Sequence, residues 1–352
     1  IFFFWALTLF FSELLSFEES PERGASITFL AADIKYHRDE GIKICEIQSG
    51  SSSTFEGFDF VMGEEGFFVR RLLDAIGKYQ SNLWFIPGKI CDQKLKDELI
   101  RRGFHPVQSL SSLLDNRLFA QAATASLEDA SQIGCYRGVF FGTTMSPPDH
   151  KRLKEMCPAI LIMDDLTMPF LDDKLSMGEL FLDDALQEFK PKWKAYSKHY
   201  SSKLAARVAR DIGGEFFVIK PRRGALGRGV IITEKKDLDA WLKKILLSKR
   251  KEFLNAPDPE IRYWAIDKSD LFIVEAFSRG EVIKVEHMGS KLFDTNVRVY
   301  FLLVQTGGRL KIEYLSAHIS IPKAAIDAKA SLTDRHKSHT ELPFFTKVPE
   351  EM

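Results

Sequence analysis

The chain has 352 residues, 45% of them apolar and 28% charged, enough to bury a large core and to divide into two or three domains. Lysine plus arginine and aspartate plus glutamate both total 49, so the formal net charge is zero. That balance argues against a nucleic-acid binder, which needs a basic excess, and against an acidic disordered tail. The four cysteines (Cys45, Cys91, Cys135 and Cys157) form no CxxC pair and no Cys/His cluster, so neither a zinc site nor a disulfide framework is expected. Reduced thiols in a cytoplasmic protein fit this usage.

The opening IFFFWALTLFFSELLSF is unbroken in its apolar character only to about Phe11. It is well short of the roughly 20 residues that span a bilayer, and it shows no basic flank or small-residue cleavage site. A buried helix is the expectation, with a targeting or anchoring segment as the alternative; otherwise no membrane contact is expected. ITFLAAD at 27–33 and the run at 42–47 read as two strands of a hairpin that turns at Gly41. Then FFVRRLLDAIGKY has helical spacing, LWFIP reads as a buried strand, and KLKDELIRR as an amphipathic helix stopped by Gly103. The alternation continues through GVFFGT and AILIMDD, which argues for a small α/β unit with a parallel sheet. Residues 175–210 read as helical with a break at 190–192, and SKRKEF at 248–253 as a solvated helix end.

The sharpest segment is FFVIKPRRGALGRGVIIT at 216–233. An apolar strand delivers Lys220, a loop carries Gly224, Gly227, Arg228 and Gly229, and a second apolar strand leaves. Glycines let backbone N–H groups approach an oxyanion with no β-carbon in the way. A lysine at the strand end adds a mobile point charge for phosphate oxygens. Dinucleotide and P-loop motifs both open into a helix, whereas this loop opens into VIIT. A protein kinase would place its lysine on a later strand and carry HRD and DFG, which are absent from the sequence. A glycine-rich hairpin with a solvated lysine is the competing structural reading.

Lys220-Pro221 followed by this glycine loop resembles the small-lobe hairpin of the ATP-grasp superfamily. FIVEAFSRGE at 272–281 is similar to the family's next strand, and FDTNVRVYFLL at 293–303 to its large-lobe strand. The resemblance implies that the backbone of Glu275, Ala276 and Phe277 meets the adenine edge of ATP, that Glu281 or a nearby carboxylate reaches the ribose, and that Arg298 faces the phosphates. Lys174 could match a lysine that opens the first helix of the fold. A second phosphate-binding lysine is implied upstream of the glycine hairpin, with Lys192, Lys194 and Lys198 all open.

The family also implies a Mg2+ site on an aspartate followed by Glu-x-Asn, and nothing of that kind follows Arg298. The pattern occurs instead at the other end of the chain. Asp33 lies on one strand of the N-terminal hairpin, while Glu46 and Gln48 lie two apart on the return strand, so their side chains share a face. Two carboxylates and an amide oxygen are hard donors suited to magnesium. The whole resembles a circularly permuted ATP-grasp protein, in which Gln48 departs from the family's asparagine.

The expected architecture is therefore α/β, with two ATP-grasp lobes and a Rossmann-like domain ahead of them. Residues 1–62 are expected to give a helix plus the metal-binding hairpin, 63–170 the Rossmann-like domain, 171–277 the small lobe, and 278–352 the large lobe and C-terminal segment. The implied activity is an ATP- and Mg-dependent ligase that joins a small-molecule or peptide carboxylate to an amine or thiol through an acylphosphate. A nucleotide-binding interaction module without chemistry is the alternative. The eight histidines show no HExxH and no Ser/His/Asp order, which leaves nucleophilic hydrolysis without support. His336 and His339, beside Arg335 and Lys337, are read as a solvated loop, with recognition of an acidic substrate as the alternative.

Overall fold

The computed structural model describes residues 26–50, 55–79, 83–86, 93–115, 138–141, 147–156, 161–162, 173–224, 227–248, 250–256, 259–306, 309–339, 341–349 and 352. The apolar opening segment and Cys91, Cys135 and Cys157 lie outside them. In chain order the elements are β1 (Ser26–His37), β2 (Gly41–Ser49), α1 (Glu56–Met62), α2 (Phe67–Gly77), β3 (Leu83–Ile86), α3 (Gln93–Arg101), β4 (His105–Pro106), α4 (Leu110–Leu114), β5 (Gly138–Phe141), α5 (Pro147–Met156) and β6 (Leu161–Ile162). They continue with α6 (Lys174–Glu179), β7 (Trp193–Ser197), α7 (Leu204–Ile212), β8 (Phe216–Pro221), β9 (Ile231–Glu234), α8 (Leu238–Leu247), α9 (Arg250–Leu254), α10 (Pro259–Tyr263) and β10 (Leu271–Ala276). The last are β11 (Val282–Val285), β12 (Lys291–Asp294), β13 (Asn296–Thr306), β14 (Arg309–Ser320), α11 (Leu332–His336) and β15 (Phe345–Thr346).

The chain forms two compact units, each assembled from separated segments rather than from one stretch. The first comprises Ile1–Ala31, Gln48–Leu171 and Val299–Ala317; the second comprises Ala32–Ile47, Asp172–Arg298 and His318–Met352. A five-stranded sheet has the order β15-β14-β13-β1-β2. It places the N-terminal hairpin directly beside β13. The sequence reading does not name β14.

In the first unit, β4-β3-β5-β6 form a sheet in which every pairing is parallel, as the strand–helix alternation implies. The apolar spacing of α2 buries Phe68, Val69, Leu72, Leu73 and Ile76 on one stripe. Its start is held by Asp59, which accepts from the Gly66 N–H at 2.6 Å and the Phe68 N–H at 3.1 Å. That stripe joins Phe29, Phe85, Tyr300, Leu302 and Leu315 in one core, where the Phe68 and Tyr300 rings stand 4.7 Å apart. Each such side chain removed from water contributes about 1.5–3 kcal/mol.

The second unit is organised by an antiparallel sheet of order β7-β10-β8-β9. The stretch 175–210, expected to be helical, contains β7 at its centre; this corrects the sequence reading. As an edge strand, β7 alternates only weakly and buries just Tyr196 fully. The alternation of the inner strands is sharper. Phe217 and Ile219 of β8 and Phe272 and Val274 of β10 point to one face and pack with Val208, Ile212, Leu238 and Leu242 of α7 and α8. The opposite face consequently carries Val218 and Lys220 of β8 and Ile273 and Glu275 of β10, with Glu275 opposite Val218 and Lys220 opposite Ile273. No described helix is long and apolar enough to cross a membrane.

Candidate functional site

The polar face of that sheet builds the site. Register puts Lys220 diagonal to Glu275, and the two close at 2.5 Å. A second lysine, Lys190, lies three residues ahead of β7 and meets the other carboxylate oxygen at 3.0 Å. All three are withdrawn from water: Lys220 is 9% exposed, Lys190 6% and Glu275 4%. Burial alone would favour a neutral Glu275, but the two ammonium groups outweigh it and hold the carboxyl down at about 2. Burial likewise opposes the charge on Lys220, and Glu275 reverses that, so its pKa rises.

Two buried cations on one buried anion leave one positive charge in excess. The neighbours soften this excess without cancelling it. Lys190 Nζ also donates to the Cys45 carbonyl at 2.8 Å. The Cys45 thiol is pushed up by burial and stays neutral. Lys174 Nζ donates to the Gly224 carbonyl and stands 3.5 Å from Glu46.

Sequence reasoning missed Lys190. Of the three candidates it left open, Lys192 is exposed, Lys194 is held by Asp211 at 2.9 Å, and Lys198 by Asp267 at 2.8 Å. A usable signal was present: Lys190-Pro191 repeats the Lys220-Pro221 dipeptide, and both prolines are buried.

The glycine turn joins β8 to β9, and its conformation demands glycine. Gly224, Gly227 and Gly229 have φ of 126°, 65° and 75°. A β-carbon on Gly224 would lie 2.3 Å from the Tyr263 hydroxyl. Gly229 is fixed on both sides, its N–H donating to Glu260 at 2.6 Å and its carbonyl accepting from Trp264 Nε1 at 3.0 Å. Arg228 between them is exposed. Arg222, just before the turn, grips Asp173 with two nitrogens, and Asp173 also caps α6.

Further residues along the sheet already have partners within the protein. The N–H groups of Ala276 and Phe277 donate to Lys192 at 2.7 Å and to Phe216 at 3.3 Å. They belong to the sheet and are not free to donate to an adenine edge. Glu281 accepts from the Arg38 backbone N–H at 2.7 Å and from its guanidinium at 3.1 Å, an exposed pairing with the N-terminal hairpin.

Arg298 and Asp33, expected to serve phosphate and magnesium separately, are joined to each other. Two parallel hydrogen bonds of 2.7 and 2.8 Å link them, both groups buried. Each Asp33 oxygen thus already accepts a guanidinium N–H, and Glu46 is drawn toward Lys174. Among the described residues no group of three or more His, Cys, Asp or Glu side chains forms a cation site. As placed, Asp33 and Glu46 do not fit magnesium; a cation there would have to share or replace Arg298.

Next on the same chain segment, Asp294 is buried and accepts from Lys35 Nζ at 2.9 Å, His336 Nδ1 at 2.9 Å and the Gly280 N–H at 2.7 Å. Burial would raise its pKa, but Lys35 and His336 hold it below the usual aspartate range. His318 lies near Arg298 and Asp33, and burial pushes its pKa down to about 3, so it is neutral.

No family profile matches the chain, and no curated protein matches it. Solved structures do. The structures it resembles are ATP-grasp proteins. The D-alanyl-alanine synthetase A of Vibrio cholerae is 13% identical, over 77% of this chain and 75% of that one, at a TM-score of 0.36. The RimK-domain ATP-grasp protein of Sphaerobacter thermophilus is 12% identical, over 67% and 90%, at 0.32. The biotin carboxylase domain of the Hydrogenobacter thermophilus 2-oxoglutarate carboxylase, crystallised with MgADP, is 11% identical over 71% of this chain, at 0.33. This chain spans 61% of that domain's length. At such distances no residue role passes from one chain to another.

Proposed function

We propose that the second unit binds ATP on the polar face of its antiparallel sheet and uses it to activate a carboxylate for attack by an amine or a thiol. The observation that carries the reading is that two buried ammonium groups, Lys190 and Lys220, share the single carboxylate of Glu275. An excess buried cation is costly without an anion, and a phosphate chain supplies one. The glycine turn, whose first glycine is four residues beyond Lys220, gives backbone room for phosphate oxygens.

The chemistry assigned to these residues is charge stabilisation. Lys220 and Lys190 hold phosphate oxygens and take up charge as the terminal phosphoryl group leaves ADP. The substrate carboxylate oxygen forms the new P–O bond while the bond to ADP breaks. The acceptor amine or thiol then forms a bond to the acyl carbon, inorganic phosphate leaves with the electron pair, and the nucleophile loses its proton to solvent or a base. Glu275 keeps the lysines charged and in place. The N-terminal hairpin is paired beside β13, and its Asp33 is held by Arg298 within the same unit. Magnesium would enter with the nucleotide.

A second reading, a nucleotide-binding module without chemistry, is favoured by one observation, the closed Asp33–Arg298 pair. ADP release from MgATP across a panel of amino acids, short peptides and thiols separates the two. Substrate-dependent ADP release is expected. Nucleotide binding with no turnover across the panel would leave the module reading.

A further inference from the structure

The glycine turn already holds an anion, and the anion is the protein's own. Glu260, on α10, accepts the Gly229 N–H through Oε2 at 2.6 Å and pairs through Oε1 with Lys337. Lys337 lies just past α11 and donates from the same ammonium to the Gly227 carbonyl at 3.1 Å. Its side chain is stacked along Gly227, where a β-carbon would stand 3.5 Å from Lys337 Cε. The segment is anchored by Thr333, whose hydroxyl accepts from the Ile232 N–H of β9 at 3.0 Å. A glycine-turn amide and a lysine ammonium are the two groups that ordinarily recognise a phosphoryl oxygen. Both are spent on one carboxylate, which occupies them as a phosphate oxygen would.

We propose that Gly229 N–H and Lys337 Nζ form an oxyanion site for the nucleotide's phosphates, and that Glu260 is an intramolecular competitor which must withdraw before they bind. Lys337 thereby becomes a phosphate-contacting residue contributed by the C-terminal segment. Glu260 sets the affinity by the free energy needed to break its contacts with Gly229 and Lys337. The proposal rests on the reading of the turn as a phosphate cradle.

The two residues act in opposite directions, which a merely structural clasp would not do. Any loss of packing should weaken binding in every variant. Glu260→Gln keeps the size and an oxygen for the Gly229 N–H but drops the charge, while Glu260→Ala removes the competitor entirely. Calorimetric titration with MgADP, and with inorganic tripolyphosphate as a probe lacking adenine, is expected to show tighter binding for both Glu260 variants. For Glu260→Ala the gain should be about ten-fold, the scale of one charge-assisted hydrogen bond. Lys337→Met should weaken both ligands. Melting temperatures identify any variant that fails to fold, and Glu260→Gln then decides. If wild type binds MgADP and neither Glu260 variant binds more tightly, the competitor role is overturned while the nucleotide site stands. If wild type and all variants bind neither ligand, the cradle and the inference fall together.

Discussion

Replacing Glu275 by alanine is expected to destabilise the protein by about 3–5 kcal/mol, because it strands two buried ammonium groups beside each other. Lys190 and Lys220 lie at 3.0 and 2.5 Å from its two oxygens. Glu275→Gln should be nearly as damaging, since an amide keeps the shape and one acceptor but none of the charge. Urea denaturation would show the loss as a lower midpoint with an unchanged slope. The same group contributes an acid sensitivity. Its folded pKa of about 2 lies below the ordinary 4.5, so its stabilisation is complete above 4.5 and is lost as pH falls toward 2. His318 acts earlier in the same direction. It stays neutral in the fold down to about 3, whereas the unfolded chain takes up a proton below its ordinary 6.5. Wild type should therefore lose stability from about pH 6.5 downward and more steeply below 4.5. Glu275→Gln should show a shallower loss below 4.5 than wild type, with the remainder carried by other depressed carboxylates such as Asp294.

The second large effect separates binding from stability. Lys220→Met leaves one lysine on one glutamate, a balanced buried pair, and the methionine fills most of the space of the lysine stem. The variant should melt close to wild type. Its affinity for MgATP should fall by about 10- to 100-fold, the loss of one charge-assisted contact to phosphate. Lys190→Met should behave in the same way. The double variant should not: it leaves Glu275 buried without either cation and should be as destabilised as Glu275→Ala. Stability retained in both single variants and lost in the double would show that the sheet needs one cation, while the nucleotide needs two. A destabilised Lys220→Met would mean that both ammonium groups serve the fold, and would remove the excess charge from the argument.

The parts legible in the sequence are those governed by local rules. The alternation of FFVIKP fixes which face of β8 meets the core, so Lys220 is placed before any contact is known. The glycines after it mark the turn, and positive φ at Gly224, Gly227 and Gly229 is the reason they are needed. The hairpin of β1 and β2 is legible from two apolar runs around Gly41. What escapes is non-local. Lys190 and Glu275 are 85 residues apart, and nothing near Lys190 records that a buried carboxylate awaits it. Asp33 and Arg298 were each singled out, but at a separation of 265 residues the sequence cannot say that they choose one another over metal and phosphate. The strand β7 is hidden because an edge strand is half-wetted, and its Lys194 and Ala195 are good helix formers. Glu260 and Lys337 lie in stretches of ordinary charged composition, and only their meeting at the glycine turn gives them meaning.

The most direct test of the account is amide hydrogen exchange with and without saturating MgATP. Slowed exchange is expected at 216–231, which spans β8 and the glycine turn, and at 271–278, which spans β10 and the loop after it. Residues 67–77 of the first unit should exchange at an unaltered rate. Protection confined to the first unit, or none anywhere at nucleotide concentrations well above millimolar, would contradict a phosphate site on Lys190 and Lys220.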